Sequence, residues 1–451
     1  MISFYDTATL PTEEMLDAMR AARLGDDVYH EDPTVNELEA LSAEMLDKEA
    51  AIFMPSGTMA NLTAVMCHTQ HGDEVVVEAE AHIMYYETGG IAAVAGVMPL
   101  AIESERGILR AELIEPKLRK PNQHYPHTTL LCVENTHNRA GGTITSPEVM
   151  RELRELCDRW SMRLHVDGAR IFNAAVALNM PVSRLALDAD SICFALSKGL
   201  SAPVGSVLAG SATFVERARR VRKMLGGSMR QAGVLAAAGI VALREGIDRL
   251  AEDHQRARQL AWRLANIPGL RVNPQEVETN MVLIDSSDSD LRAEQIIAAL
   301  KVRGIRASAR PPYVVRFVTH RQIGEAEVDI LARIAKNLRE APLAGFVAEG
   351  SAPFASMSNA VEAALKRATL SGMPVVKVGR GNAEGPVDQA RCTLAIAGSN
   401  LTATKARLLL MACLLRFGSL PHAADPTRPT AAELAAVQAK LTEYQAVFDT
   451  H

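Results

Sequence analysis

Lys198 stands where an apolar, strand-like run, SICFAL, ends in Ser197-Lys198-Gly199, just ahead of a second apolar run, GSVLAG. A lysine at the end of a buried strand is desolvated. Desolvation disfavours the ammonium form, lowers the pKa and leaves an amine able to act as a nucleophile, for instance on an aldehyde. Taken alone, such a lysine is as readily one half of a structural ion pair, so its meaning depends on what accompanies it.

Asp167 follows the strand-like MRLHV upstream of Lys198. It is either an N-cap or turn residue or, paired with Lys198 on a neighbouring strand end, the carboxylate that keeps a pyridine nitrogen protonated. Pro55-Ser56-Gly57-Thr58 joins the run AAIFM to a helix near Met59. Gly57 and Thr58 there offer backbone N–H groups, a hydroxyl and the positive end of the helix dipole to a phosphate, although Ser and Thr are also the usual N-caps. His82, just after DEVVVEA, can stack on a ring or accept a proton, or be an ordinary surface histidine. Arg316 within VVRFV suits bidentate capture of a carboxylate, or a structural salt bridge. Arg170, three residues past Asp167, is near enough to touch a cofactor or that carboxylate. Gly226-Gly227-Ser228-Met229-Arg230 follows the basic segment ERARRVRKM, which is either a solvated helix face or a phosphate contact reaching a neighbouring subunit. Phosphate cradle, stacking residue, ring carboxylate, lysine and carboxylate-binding arginine together match a site for pyridoxal 5'-phosphate (PLP), whose protonated ring is an electron sink. No rival enzyme class explains all five.

The elements that must position these residues are short apolar runs alternating with amphipathic stretches over roughly 50–240. AAIFMP, DEVVVEA, TTLLCVE, MRLHVD, SICFAL and GSVLAG read as strands; EVMRELRELCDRW reads as a helix capped by Ser146 and started by Pro147. Such alternation predicts an α/β fold with a mostly parallel sheet covered on both faces, which binds ligands at the carboxyl ends of its strands. From about 245 to 340 the pattern turns α+β, with a long charged helix ahead of the strands NMVLID and PYVVRFV. The Gly/Pro/Ala-rich stretch 341–358 reads as a linker, and beyond it lies a further α/β piece with a last helix opened by the capping box Thr430-Ala-Ala-Glu433. The expected domains are a cofactor-binding large domain over 1–244 including the N-terminal segment, a small domain over 245–343, a linker over 344–356 and a C-terminal segment over 357–451.

A chain of 451 residues with 22% charged and 48% hydrophobic side chains is that of a globular protein with two or three domains. Its net charge of -5 argues against nucleic acid or an anionic membrane as partner. The six cysteines have no paired spacing and suggest reduced thiols; with no cationic start followed by a long apolar stretch, a cytoplasmic location is expected. The longest apolar run, Val234 to Leu243, is too short to span a bilayer and reads as a buried helix.

Residues 1 to about 343 resemble the low-specificity L-threonine aldolases, which are PLP enzymes of fold type I. The strings that carry the resemblance are DTATLPTEEM, GDDVYHEDPTVNELE, FMPSGTMANL, VENTHNRAGG, HVDGARIFNAA, LSKGLSAPVGSV, RKMLGGSMRQAGVLAAAGI and VRFVTH. The resemblance implies an aspartate aminotransferase-like large domain with a smaller α+β domain, and cleavage of the Cα–Cβ bond of L-threonine, L-allo-threonine and related β-hydroxy-α-amino acids to glycine and an aldehyde. It implies Lys198 as the Schiff-base lysine, Asp167 on the ring nitrogen, His82 stacked on the ring, and Gly57 and Thr58 on the phosphate. Arg170 and Arg316 fall on the substrate carboxylate side, His124 near the β-hydroxyl, and Arg230 on a phosphate across a subunit boundary of a homotetramer. His82, His124 or a water would take the β-hydroxyl proton.

Three positions depart from the family pattern. Tyr5 stands where a serine usually helps to hold the substrate, and its bulk would crowd the carboxylate pocket. His30 replaces a usual glycine, and Ala60 another. Residues 357–451 resemble instead the C-terminal domain of bacterial L-asparaginases, through MPVVKVGRGNAEGPV and AGSNLTATKARLLLMACLL. The chain lacks the nucleophilic threonine motif of such enzymes, since Gly141-Gly142-Thr143-Ile144 is preceded by Ala140 and belongs to the first match. The tail therefore reads as a non-catalytic packing or oligomerisation module, or the remnant of a gene fusion. The same lysine and aspartate would also serve a serine hydroxymethyltransferase-like or aminotransferase-like enzyme, or a PLP-binding pseudoenzyme with an interaction tail.

Overall fold

The structure is a computed structural model that describes residues 2–289, 291–340, 345–350, 357–379, 387 and 392–450. The chain divides into two compact units, Met1–Lys336 and Asn337–His451.

The first unit is built on a seven-stranded sheet. From edge to edge its strands are Ala50–Met54, Ser206–Gly210, Ser191–Ala195, Arg163–Asp167, Thr128–Glu134, Glu74–Glu78 and Met98–Ile102. Only Ser206–Gly210 runs against its neighbours; the other pairings are parallel. Six of these seven strands are the runs read from the sequence. The seventh, Met98–Ile102, was not anticipated: it reads MPLAI, and proline confines such a strand to a sheet edge.

Successive side chains of a strand point to opposite faces, and here each face is covered. Phe53, Val207 and Ala209 enter a core shared with Val35, Leu38 and Leu46 of helix Pro33–Leu46. Ile52, Met54 and Leu208 point the other way, against Ala60 and Ala64 of helix Gly57–His68 and Phe214 and Ala218 of helix Ala212–Met224. The apolar run Val234 to Leu243 lies in the largely buried helix Gly233–Glu245. Pro147–Trp160 is a helix whose first-turn Val149 N–H is accepted by Ser146 Oγ at 3.4 Å.

A second, antiparallel sheet carries Ser308–Arg310, Val314–Val318 and Met281–Asp285 in that order. The N-terminal segment touches both parts, with Met15 in the core of the large sheet and its first residues in a separate two-stranded pairing. Ile2–Ser3 pairs in parallel with Ile305–Arg306, and Phe4 meets Phe317 edge-on with ring centroids 5.6 Å apart.

The second unit has a three-stranded parallel sheet, Phe346–Gly350, Val375–Gly379 and Ile396–Ala397, with helices Asn359–Leu370, Ala403–Phe417 and Ala431–Phe448. Val376, Val378, Ile396, Leu410, Leu441, Tyr444 and Phe448 form its core. The stretch expected as a linker, 344–356, thus contains a paired strand. Small residues hid the signal, because within the strand itself Phe346 and Val347 alone are large and apolar. The capping box forms, with Thr430 N donating to Glu433 Oε2 at 2.7 Å and Glu433 N to Thr430 Oγ1 at 3.3 Å. Residues 380–386 of the second resemblance string lie outside the described residues.

Among the described residues no helix is long and apolar enough to cross a membrane.

Candidate active site

The carboxyl ends of the parallel strands deliver the chemistry to one edge of the large sheet. Asp167 ends its own strand and Lys198 follows the next one, adjacent and in register through Asp167 opposite Cys193. The step after Asp167 requires glycine, because a Cβ on Gly168 would lie 2.6 Å from Cys193 O.

Asp167 is buried, 5% exposed. Asn61 Nδ2 donates to its Oδ2 at 2.8 Å and Ala169 N–H to its Oδ1 at 3.1 Å. Burial by itself would raise this carboxyl, but the His82 and Lys198 charges and the Asn61 hydrogen bond outweigh it and hold the pKa below the ordinary carboxylate value. Lys198 moves down for the reason its position suggested: burial first, then repulsion from Arg170, opposed by Asp167, Asp6 and Glu134. Among the described residues its Nζ makes no ion pair, and its backbone carbonyl accepts Thr9 Oγ1 at 2.9 Å. The amine is placed and left free to react.

His82 begins the short helix His82–Tyr85, and its N–H donates to Glu134 Oε2 at 2.6 Å. Its Nδ1 lies 2.9 Å from Glu87 Oε1. Burial pushes the imidazole down; the Glu87 hydrogen bond and the Asp167 charge more than reverse this and leave it raised. Glu87 is itself raised, by burial and by Asp167.

At the start of helix Gly57–His68 the N-cap Ser56 accepts Met59 N–H at 3.2 Å. The N–H groups of Gly57 and Thr58 have no partner among the described residues, as the first turn of a helix requires. Nearby Ser206 Oγ is buried and without a hydrogen-bond partner, 3.5 Å from where a Cβ on Gly57 would sit. Two free N–H groups, an orphaned hydroxyl and a helix dipole form an anion cradle. With an ionised buried carboxylate, a lysine free of ion pairing and an imidazole beside them, the residues fit PLP.

The two candidate carboxylate-binding arginines differ. Arg170 is buried and paired with Asp6, Nε to Oδ2 at 2.6 Å and Nη2 to Oδ1 at 2.7 Å. Among the described residues Arg316 is hydrogen-bonded by neutral side chains, Ser308 Oγ at 3.1 Å from Nε and Asn138 Oδ1 at Nη1. Tyr5 turns its hydroxyl to the carbonyl of Ala307, to which it donates. His124 lies on an exposed loop, its N–H donating to Asn122 Oδ1 at 3.0 Å; within this chain it does not join the buried cluster. Arg230 is exposed and paired with Asp26 at 2.7 Å. Asn61, Glu87, Glu134, Asp6 and Asn138 escaped the sequence reading as site members. A cavity of about 610 Å3 lined by Glu78, Glu80, His137, Arg139 and Arg310 flanks the cluster, although neither Lys198 nor Asp167 lines it.

The family model for beta-eliminating lyases matches residues 4–287, a span that contains Gly57, His82, Asp167, Arg170 and Lys198 but neither Ser308 nor Arg316. The chain belongs to that family. It is 46% identical over 328 residues to low-specificity L-threonine aldolase 1 of Arabidopsis thaliana, covering 72% of this chain and 92% of that one. Identity to the low specificity L-threonine aldolase of Escherichia coli K12 is 40% over 335 residues, covering 74% of this chain and 97% of the relative. The family fold is equally evident in space: a threonine aldolase structure from Leishmania major superposes with a TM-score of 0.65 at 21% identity, over 75% of this chain and 99% of that one.

Proposed function

We propose that the chain is a PLP-dependent carbon–carbon lyase that cleaves the Cα–Cβ bond of L-threonine, L-allo-threonine and related β-hydroxy-α-amino acids, giving glycine and an aldehyde. The observation that carries this is the placement of Lys198, whose Nζ makes no ion pair among the described residues, beside an ionised, buried Asp167 on adjacent strand ends, in a chain 46% identical to a threonine aldolase. When bound through Lys198, PLP supplies the electron sink for the pair released as the bond breaks. Asp167 keeps the ring nitrogen protonated and so keeps the sink deep. Gly57, Thr58 and Ser206 would hold the phosphate, and His82 would lie against the ring.

Arg316 would bind the substrate carboxylate and so orient the bonds at Cα. Arg170 stays with Asp6 and shapes that pocket by its charge. The β-hydroxyl proton must leave as the bond breaks. His82 serves, because Glu87 holds Nδ1 and leaves Nε2 to accept it; His124 or a water is the alternative acceptor.

Arg230 reaches the phosphate of a neighbouring copy in a homo-oligomer with shared sites, a reading supported by its exposure together with that of Tyr29 and Met224. Cys67, Cys132, Cys157, Cys193 and Cys413 carry free thiols and favour a reducing, cytoplasmic setting. The second unit has its own core and serves as a non-catalytic packing or oligomerisation module derived from an asparaginase-like domain.

Incubation of the PLP-loaded protein with L-threonine tests the reaction. Glycine and acetaldehyde in equal amounts, without a keto acid and without folate, are expected. A keto acid product would point to an aminotransferase, and a folate requirement to hydroxymethyl transfer. Cofactor uptake without turnover would leave a binding protein only.

A further inference from the structure

Asp167 is held from behind by a line of hydrogen bonds that runs away from the substrate. Asn61 Nδ2 lies 2.8 Å from Asp167 Oδ2 and 2.8 Å from Glu87 Oε1. An ionised Asp167 can only accept, so this atom is the amide NH2 and Oδ1 faces the other way. On that side Oδ1 meets His165 Nε2 at 3.2 Å and the Cys193 thiol at 3.1 Å. Since the oxygen accepts, His165 carries its proton on Nε2. Burial, the larger influence, keeps this imidazole below the ordinary histidine range and neutral, so Nδ1 is an acceptor. Nδ1 lies 2.9 Å from Ser191 Oγ, which must give it its single proton. Ser191 Oγ then accepts from His68 Nε2, 2.8 Å away. Burial also pushes His68 down, to about 3, and its ring stacks on Phe214 with centroids 4.6 Å apart.

Every proton in the line therefore points one way, from His68 through Ser191, His165 and Asn61 to Asp167. We propose that His165 is a positioning residue for Asp167, acting through Asn61. It fixes which end of the amide faces the carboxylate, and the aligned donors reinforce one another in the low-dielectric interior. Without it the Asn61 amide is free to rotate, and a flipped amide would set Oδ1 against Asp167 and Glu87. His165, Ser191 and Asn61 are 0%, 0% and 1% exposed, so no water replaces a lost member of the line. The inference rests on the assignment of Asp167 to the ring nitrogen of PLP.

Three variants of the full chain test it: H165F, which keeps a ring without donors; H165Q, whose amide nitrogen reaches the Nε2 position; and S191A, which releases the tautomer. The readouts are the PLP affinity of the apoprotein, the pH midpoint of the bound cofactor's visible absorption, and kcat and KM taken separately. H165F is expected to lower kcat about tenfold to a hundredfold, the effect of one hydrogen bond to a charged group, with KM little changed. It should also weaken PLP binding and shift the absorption midpoint. H165Q should recover most of the loss, and S191A should show the same changes to a smaller extent. If H165F does not fold, S191A and H165Q against wild type decide. The inference is overturned by variants that lower thermal stability while leaving the absorption midpoint and kcat at wild-type values, or by H165Q performing no better than H165F. A wild-type chain that takes up no PLP would overturn the reading of Asp167 and this inference with it.

Discussion

Arg170 commits the Nε–Nη2 edge of its guanidinium to Asp6, with contacts of 2.6 and 2.7 Å between two buried side chains. Arg316, by contrast, is surrounded by Ser308 and Asn138, neither of which carries charge. Burial and repulsion from Arg170 lower its pKa, against the opposing charge of Asp6, so an incoming carboxylate would stabilise the buried cation.

Arg316 should therefore dominate substrate capture. R316Q is expected to raise KM about tenfold to a hundredfold, the contribution of a charge-assisted hydrogen bond, while the visible absorption of bound PLP stays as in wild type. Steady-state kinetics on L-threonine check it. An unchanged KM would return the role to Arg170.

Removing the charge of Asp6 leaves Arg170 buried without a counter-ion. D6N is expected to cost about 3–5 kcal/mol at neutral pH. Burial works against the Asp6 carboxylate, but the Arg170 charge and hydrogen bond prevail and hold its pKa at about 2, below the ordinary 3.8. Its contribution is thus fully present above pH 3.8 and is lost as pH falls from there toward 2. Urea unfolding at neutral pH should show the gap between D6N and wild type; acid should narrow it.

His82 must be neutral to accept a proton, and its pKa is raised over the ordinary 6.5. The acid limb of kcat/KM should accordingly fall above that value. E87Q removes the carboxylate that raises it and leaves burial, which lowers it, so the limb should move to lower pH. A pH–rate profile of both proteins reads the shift directly; an unmoved limb would show that another group takes the proton.

His30 has φ 60°, a left-handed conformation that glycine adopts without steric cost. The position is exposed, and its carbonyl accepts Asn36 Nδ2 at 2.8 Å, a bond the substitution keeps. H30G is expected to stabilise the fold by about 0.5–1 kcal/mol, seen as a rise in Tm without a change in kcat.

The strands of the large sheet and the residues at their ends were legible because buried parallel strands are near-continuous apolar runs and their polar ends stand out. Lys198, Asp167, His82 and Gly57 were found that way. Met98–Ile102 was not, because an edge strand with a proline carries little apolar signal. The partners of the site lay further out of reach. Asp6 meets Arg170, and Asn138 meets Arg316, across separations that no periodicity encodes. Asn61 sits on a helix whose face reads as ordinary packing, and Glu87 lies five residues beyond His82 on a turn. The pairing of Ile2–Ser3 with Ile305–Arg306 was hidden for the same reason. Tyr5 was read as crowding the carboxylate pocket; its hydroxyl donates to the Ala307 carbonyl, a partner that sequence could not supply.

The account turns on Lys198 being the residue that holds PLP. Titration of the purified protein with PLP, followed by its visible absorption, tests this most directly. Wild type should develop a stoichiometric band that borohydride reduction fixes covalently at Lys198, and K198A should show none while remaining folded. A wild-type protein without the band, or a K198A protein that keeps it, would contradict the account.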